Sequence, residues 1–422
     1  MRPAGSRRRC PCPPARIGAR MRSEATMPAP ALRVVRPSET SPAARRAAAD
    51  RSARRVLATL TIAAAALTAL GLVMVLSASS VSAFAQTGSS FTFFKRQLFY
   101  AVLGSVGAVV AARLPYHVWQ RAWVPFLAGT LALLVLVLSS AGVTAGGASR
   151  WVNLGSFNMQ PSELAKFVVV VAVSSILAGN IRHLGEVLGW AVPILLVVGS
   201  VSILILFQRD LGTMMVIAAT VFLLLFVAGV RLKHLLIGAG VTGLAAFTMI
   251  MGEGYRRARL FSFLHPWSDP KNTGYQIVQS LIAFGSGHLV GVGLGASRQK
   301  WMYVPNAHTD FIFSILGEEL GLVGEVVVLA LFAAMIFAGI RIALRAPDAF
   351  GRLLAAGITG WLAIQALTNL GGATGVLPIT GVPLPFISFG GSSLVVSLGA
   401  LGVLRSIGRA GIAPAHGRRR HG

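Results

Sequence analysis

Asp310 is the side chain of this sequence best placed to do chemistry. It stands in Pro305-Asn306-Ala307-His308-Thr309-Asp310-Phe311, where a polar segment runs into a long apolar one, and Glu318 and Glu319 follow two turns later. Ionisable groups at membrane depth are costly and mark functional sites by default. Near water, Asp310 could accept a proton from a hydroxyl nucleophile or hold a divalent cation through oxygen. A structural reading competes, because Asp310 with Thr309 before an apolar helix is a good N-cap signal. Glu318 and Glu319 point in different directions on a helix; at least one should pair internally, and either could belong to a polar cavity.

The segment ahead of Asp310 carries Arg256, Arg257, Arg259, His265, Lys271, Arg298 and Lys300. Arginine forks match phosphate oxygens in two-point fashion, so an anionic ligand would suit them; anionic lipid headgroups would suit them too. Leu260 to Trp267 is apolar, aromatic and ended by Pro266, which fits an element lying at a membrane surface, either lining a groove or anchoring the chain. Elsewhere, Gln160-Pro161-Ser162-Glu163-Leu164-Ala165-Lys166 opens an apolar helix with Glu163 and Lys166 spaced for an intrahelical ion pair. The turn from Leu377 to Pro385, followed by Ser388 to Ser393, reads as a broken or re-entrant piece of chain, tolerated at membrane depth only inside protein or beside a cavity. Gly291, Gly293 and Gly295 lack the strand and βαβ frame of a nucleotide site.

Those groups must be positioned by membrane helices. Of 422 residues, 55% are hydrophobic and 12% charged, with a mean hydropathy of +0.71, which places most of the chain in lipid. A net charge of +25 would suggest nucleic acid in a soluble protein, but the cations cluster in the tails and short connectors, so no nucleic-acid partner is expected. Cys10 and Cys12, the only cysteines, offer neither a disulfide framework nor a four-ligand zinc site.

Spans of roughly 20 apolar residues are expected near 56–80, 98–112, 122–141, 162–178, 188–207, 211–229, 234–251, 310–339, 353–372 and 386–404. The fold class is therefore an all-α polytopic bundle of about ten helices, with a large loop between the seventh and eighth. Lysines and arginines beside the spans put both termini in the cytoplasm and that loop outside. Residues 1–52 read as a disordered basic arm, 53–409 as the helical domain and 410–422 as a basic tail.

Four segments together closely resemble the SEDS family of bacterial wall polymerases: GASRWVNLGSFNMQPSELAKF (147–167), QRDLGT (208–213), the stretch from Arg257 to Gly324 that holds SRQKW and HTDFIFSILGEELG, and LPITGVPLPFISFGGSS (377–393). The wording is more like the cell-division branch, FtsW, than the elongation branch, RodA. The resemblance implies ten transmembrane helices in the bacterial plasma membrane, at the division septum. It implies polymerisation of lipid II into β-1,4 glycan strands with release of undecaprenyl diphosphate, and Asp310 matches the family's essential acid. It further implies that Arg259 first, with Arg256, Arg257 or Lys300, meets the diphosphate, or that a bound Mg²⁺ or Mn²⁺ does so, with no organic cofactor. Glu163, Lys166, Arg150 and Gln160 would line the same cavity. The partners implied are a class B penicillin-binding protein and other division proteins. Two departures are Thr380, where some division-branch relatives carry a basic residue, and Arg209, where many carry proline. A lipid II flippase and a non-catalytic scaffold are the competing functions.

Overall fold

Long apolar runs in lipid can satisfy their backbone only as helices, and helices dominate the structure. This is a computed structural model that describes residues 42–412 except 141, 146–147, 154–157, 253 and 302; the side chains of 42–49, 143–145, 148, 255, 256 and 259 are outside the description as well. The helices are α1 (Pro42–Thr87), α2 (Thr92–Arg113), α3 (His117–Leu138), α4 (Pro161–Gly179), α5 (Val187–Phe207), α6 (Leu211–Ala228), α7 (Leu232–Met251), α8 (Gly254–Leu264), α9 (Tyr275–Gly287), α10 (Ile312–Arg345), α11 (Ala349–Ala373) and α12 (Gly391–Ala410). Among the described residues, ten of these are long and apolar enough to cross a membrane: all but α8 and α9.

The chain is a polytopic helical membrane protein, with differences of detail from the sequence reading. Helix α1 begins at Pro42, inside the stretch expected to lack structure, because its alanines favour helix whatever the net charge. The first 41 residues, with both cysteines, and the tail from residue 413 lie outside the described residues. Between α3 and α4 runs a three-stranded antiparallel sheet of β1 (Gly142–Ala145), β2 (Ala148–Asn153) and β3 (Asn158–Met159). A two-residue-period signal so short is hidden among glycines.

Helix α4 is buried nearly all round, from Pro161 to Leu177, and α11 nearly so. Both therefore sit inside the bundle, where a polar side chain meets protein instead of lipid. The tight turn between α5 and α6 is made by Arg209 in a left-handed conformation (φ 54°) and by Asp210, whose carboxylate accepts the Thr213 N–H at 3.2 Å and caps α6.

Helix α10 is broken at Gly321 (φ 64°, ψ −166°). The break frees helix carbonyls, and the segment after α9 takes them up: Val292 N–H donates to Glu318 O at 3.0 Å and Gly293 N–H to Glu319 O at 3.1 Å, while His288 and Leu289 carbonyls accept from Leu322 and Val323. A Cβ at position 321 would lie 2.4 Å from the Gly291 nitrogen. Gly321→Ala should therefore cost at least about 1–3 kcal/mol from backbone conformation alone. Its specific signature is lost hydrogen-exchange protection at Val292 and Gly293; unchanged protection there would overturn this account of the break.

Candidate active site

The chain from Thr374 to Gly390 is not helical, yet Val382, Leu384, Phe386, Ile387 and Ser388 are all buried. Pro383 and Pro385 keep it extended by removing N–H donors and fixing φ. This bears out the broken, re-entrant reading of Leu377 to Pro385. The segment is tied to the residues leading into α10 by bonds to three successive carbonyls. Phe389 N–H donates to His308 O at 2.9 Å, the Ser388 hydroxyl to Thr309 O at 2.6 Å, and Asn369 Nδ2, from α11, to Asp310 O at 3.0 Å. Asn369 Nδ2 also donates to Val382 O at 2.9 Å, so one amide pins both strands of the junction.

Asp310 is half-buried and lines a small recess with Thr368, Asn369, Gly372, Thr380 and Gly381. The capping expectation fails on geometry. Helix α10 starts at Ile312 with Phe311 in the cap position and no side-chain cap bond, so Asp310 lies one residue too early. Asn306, in a left-handed conformation (φ 56°), turns the chain before it.

His308 packs its ring against both Phe93 (centroids 4.9 Å apart) and Phe389 (5.7 Å). Burial lowers its pKa to about 4, so the imidazole is neutral at physiological pH. Because this folded-state value lies below the ordinary one near 6.5, the unfolded chain takes up the proton first as pH falls. The site's stability should be level above about pH 6.5 and drop between there and pH 4, by about 1–2 kcal/mol at pH 5. Thermal unfolding at pH 7 and pH 5 checks this, and His308→Phe should remove that part of the acid loss.

Glu318 and Glu319 both pair internally. Glu318 accepts from the Ser297 hydroxyl, Arg298 N–H (3.0 Å) and Gln299 N–H (3.3 Å). Glu319 accepts the Ser77 hydroxyl of α1 at 2.6 Å and faces Lys300 Nζ at 3.6 Å. Lys300 is buried and also donates to Gly295 O. In this structure its ammonium thus helps hold residues 295–300. Arg256 and Arg259 lie on α8, but their side chains are outside the described residues; Arg257, Lys271 and Arg298 are exposed.

The remaining candidates cluster on α4 and its approach. Lys166 Nζ bonds Glu163 Oε1 at 2.8 Å and Gln365 Oε1 at 2.7 Å, both partners buried. Gln365 in turn donates to Pro383 O of the re-entrant segment at 3.0 Å. Gln160 N–H donates to the Ser392 hydroxyl at 2.9 Å, and its amide reaches Ser162 at 3.0 Å. Arg150 donates to Arg209 O at 2.7 Å, which binds β2 to the α5–α6 turn. The structure thus joins Glu163, Lys166 and Gln160 to the walls of the re-entrant segment, and Arg150 to the neighbouring turn. Asn369 and Gln365 were missed by the sequence reading; their signal was a polar amide in an otherwise apolar helix.

The sequence model of the cell cycle protein family that takes in FtsW, RodA and SpoVE matches residues 57–411. The chain belongs to this family. The resemblance to SEDS polymerases therefore holds over the whole helical domain. The probable peptidoglycan glycosyltransferase FtsW of Geobacter metallireducens is 44% identical over 345 residues, covering 82% of this chain and 92% of that one. Stage V sporulation protein E of Bacillus subtilis is 42% identical over 343 residues, 81% of this chain and 93% of its own. A solved chain from a peptidoglycan synthase complex that coordinates polymerization and crosslinking is 32% identical, with a TM-score of 0.70 over 83% of this chain and 97% of that one. The rod shape determining protein RodA of Thermus thermophilus is 31% identical with a TM-score of 0.62 over 83% of this chain and 95% of its own.

Proposed function

We infer that this SEDS-family membrane protein is a peptidoglycan glycosyltransferase of the division type, and that Asp310 is its reacting acid. The observation that carries the second half is the carboxylate set at a recess by bonds to the carbonyls of residues 308, 309 and 310. A group that must meet a hydroxyl in one geometry gains from a rigid backbone beneath it.

The reaction joins two lipid II units. The 4-hydroxyl oxygen of one sugar attacks the anomeric carbon of the growing strand, its proton passes to Asp310, and the bond to the diphosphate breaks as undecaprenyl diphosphate departs with inversion. Arg259 and Arg256, on α8, are our candidates for drawing the diphosphate toward the site. Glu163, Lys166, Gln160 and Arg150 form its supporting wall. In this reading the Asp310 end of the bundle faces outward, both termini are cytoplasmic, and the protein works at the septum beside a crosslinking class B penicillin-binding protein.

Purified protein, with that partner and divalent metal, should convert lipid II into glycan strands visible on gels. Lipid II crossing vesicle membranes without polymer would overturn the reading in favour of a flippase. A fluorescent fusion should gather at the septum; uniform side-wall signal would place the chain in elongation instead.

A further inference from the structure

The turn between α5 and α6 carries a buried acid that takes no part in polymerisation. Asp210 is almost fully enclosed, and its Oδ2 accepts from the Thr213 hydroxyl at 2.8 Å and from Ser162 and Gln160 at 3.4 Å. Gln208 Nε2 donates to Leu134 O at 3.2 Å, and Arg150 donates to the carbonyls of Gln208 (3.4 Å) and Arg209 (2.7 Å). The turn is thereby fixed to α3, β2 and α4, with Asp210 as a brace.

The first turn of α6 then meets the re-entrant segment with no side chain between them. A Cβ at Gly212 would overlap the Thr380 carbonyl oxygen and stand 2.8 Å from Val382 Cγ2, closer than real Cβ atoms come. Gly381, the next residue of the segment, backs the acid. It is left-handed (φ 71°), and a Cβ there would lie 3.8 Å from Asp310 Oδ2. Thr380, Gly381, Val382 and Asp310 all line the one recess. The segment thus meets α6 at one residue and Asp310 at the next, and close-packed interiors transmit displacement instead of absorbing it.

We propose that Gly212 and Gly381 are positioning residues for polymerisation. Their missing side chains let the braced α5–α6 turn set, through the Thr380–Gly381 backbone, where the Asp310 carboxylate stands. This rests on the reading of Asp310 as the reacting acid. Alanine suits a helix better than glycine, so Gly212→Ala acts through its contact with the segment, which must give way. A shift of about 1 Å in a reacting group can cost about 10²-fold.

The test measures kcat and KM for lipid II per folded molecule of the full chain, with thermal unfolding in parallel. In Gly212→Ala and Gly381→Ala, kcat should fall at least about tenfold while KM stays within about twofold, the mark of an interaction that matters in the transition state. Gly375→Ala controls for backbone strain: Gly375 is also left-handed (φ 73°), and a Cβ there would meet only Ile277 Cγ2, at 3.5 Å. It should lose as much unfolding temperature as Gly381→Ala and keep the wild-type kcat. Because the glycines act through the carboxylate, Gly212→Ala added to Asp310→Asn should slow that variant no further. The proposal falls if Gly212→Ala or Gly381→Ala turns over like the wild type, if Gly375→Ala slows as much as Gly381→Ala, or if the losses in the double variant multiply. In each case Asp310 keeps its assignment. Wild-type turnover by Asp310→Asn removes the acid from the reaction, and the positioning with it. If Gly212→Ala does not fold, Gly381→Ala against Gly375→Ala decides alone.

Discussion

Asp310→Asn should lower the rate of glycan polymerisation by about 10²- to 10⁴-fold, the usual range for removal of a positioned general base, while leaving the protein folded. The two halves of that expectation have separate sources. Three bonds that hold this stretch run to main-chain oxygens, from Phe389 N–H, the Ser388 hydroxyl and Asn369 Nδ2. None of them needs the carboxylate, and α10 starts beyond it with no side-chain cap. The isosteric amide should therefore change the unfolding temperature little. Asp310→Glu keeps the charge but extends it by one methylene, and misplacement of about 1 Å can itself cost 10²-fold. A lipid II assay on both variants, with unfolding followed in parallel, gives the answer. Wild-type turnover by Asp310→Asn would remove the residue from the reaction.

The spans and the acid were legible in the sequence because both are local signals. An apolar run of the right length is a membrane helix whatever it touches, and an acid at the edge of such a run stands out. What holds the acid is not local. Asn369 lies 59 positions from Asp310 and Ser388 lies 79 from Thr309, so no window around Asp310 contains its support. Lys300 shows the same limit from the other side. A lysine in a polar segment reads as solvent-facing, and only the fold brings Glu319 to it. Boundaries slipped where composition and conformation disagree. Phe386 and Ile387 are apolar enough to look like the start of the last span, but the prolines before them and the Ser388 bond to Leu384 N–H keep them out of helix until Gly391. The same apolar character then serves burial instead, since both are almost fully enclosed.

Lys166→Met should be the most destabilising of the site substitutions, at about 3–5 kcal/mol. It strips the cation from a buried carboxylate, and a buried charge without its partner is far worse than no pair at all. Glu163 Oε1 loses its 2.8 Å bond to Lys166, and Oε2 is buried without a hydrogen-bond partner already. Gln365 loses the Lys166 donor too, though Trp361 Nε1 still reaches its oxygen at 2.9 Å. Adding Glu163→Leu to Lys166→Met should recover most of the loss, because two apolar side chains of similar volume need no counter-charge. The double variant separates stability from function. If the pair only braces α4 against α11, the stable double variant polymerises lipid II as the wild type does. Our reading of the pair as part of the site's wall requires that it remain slow, because Lys166 reaches the re-entrant segment through Gln365 and Pro383 O. A double variant at least as stable as the wild type and fully active would return Glu163 and Lys166 to structure alone.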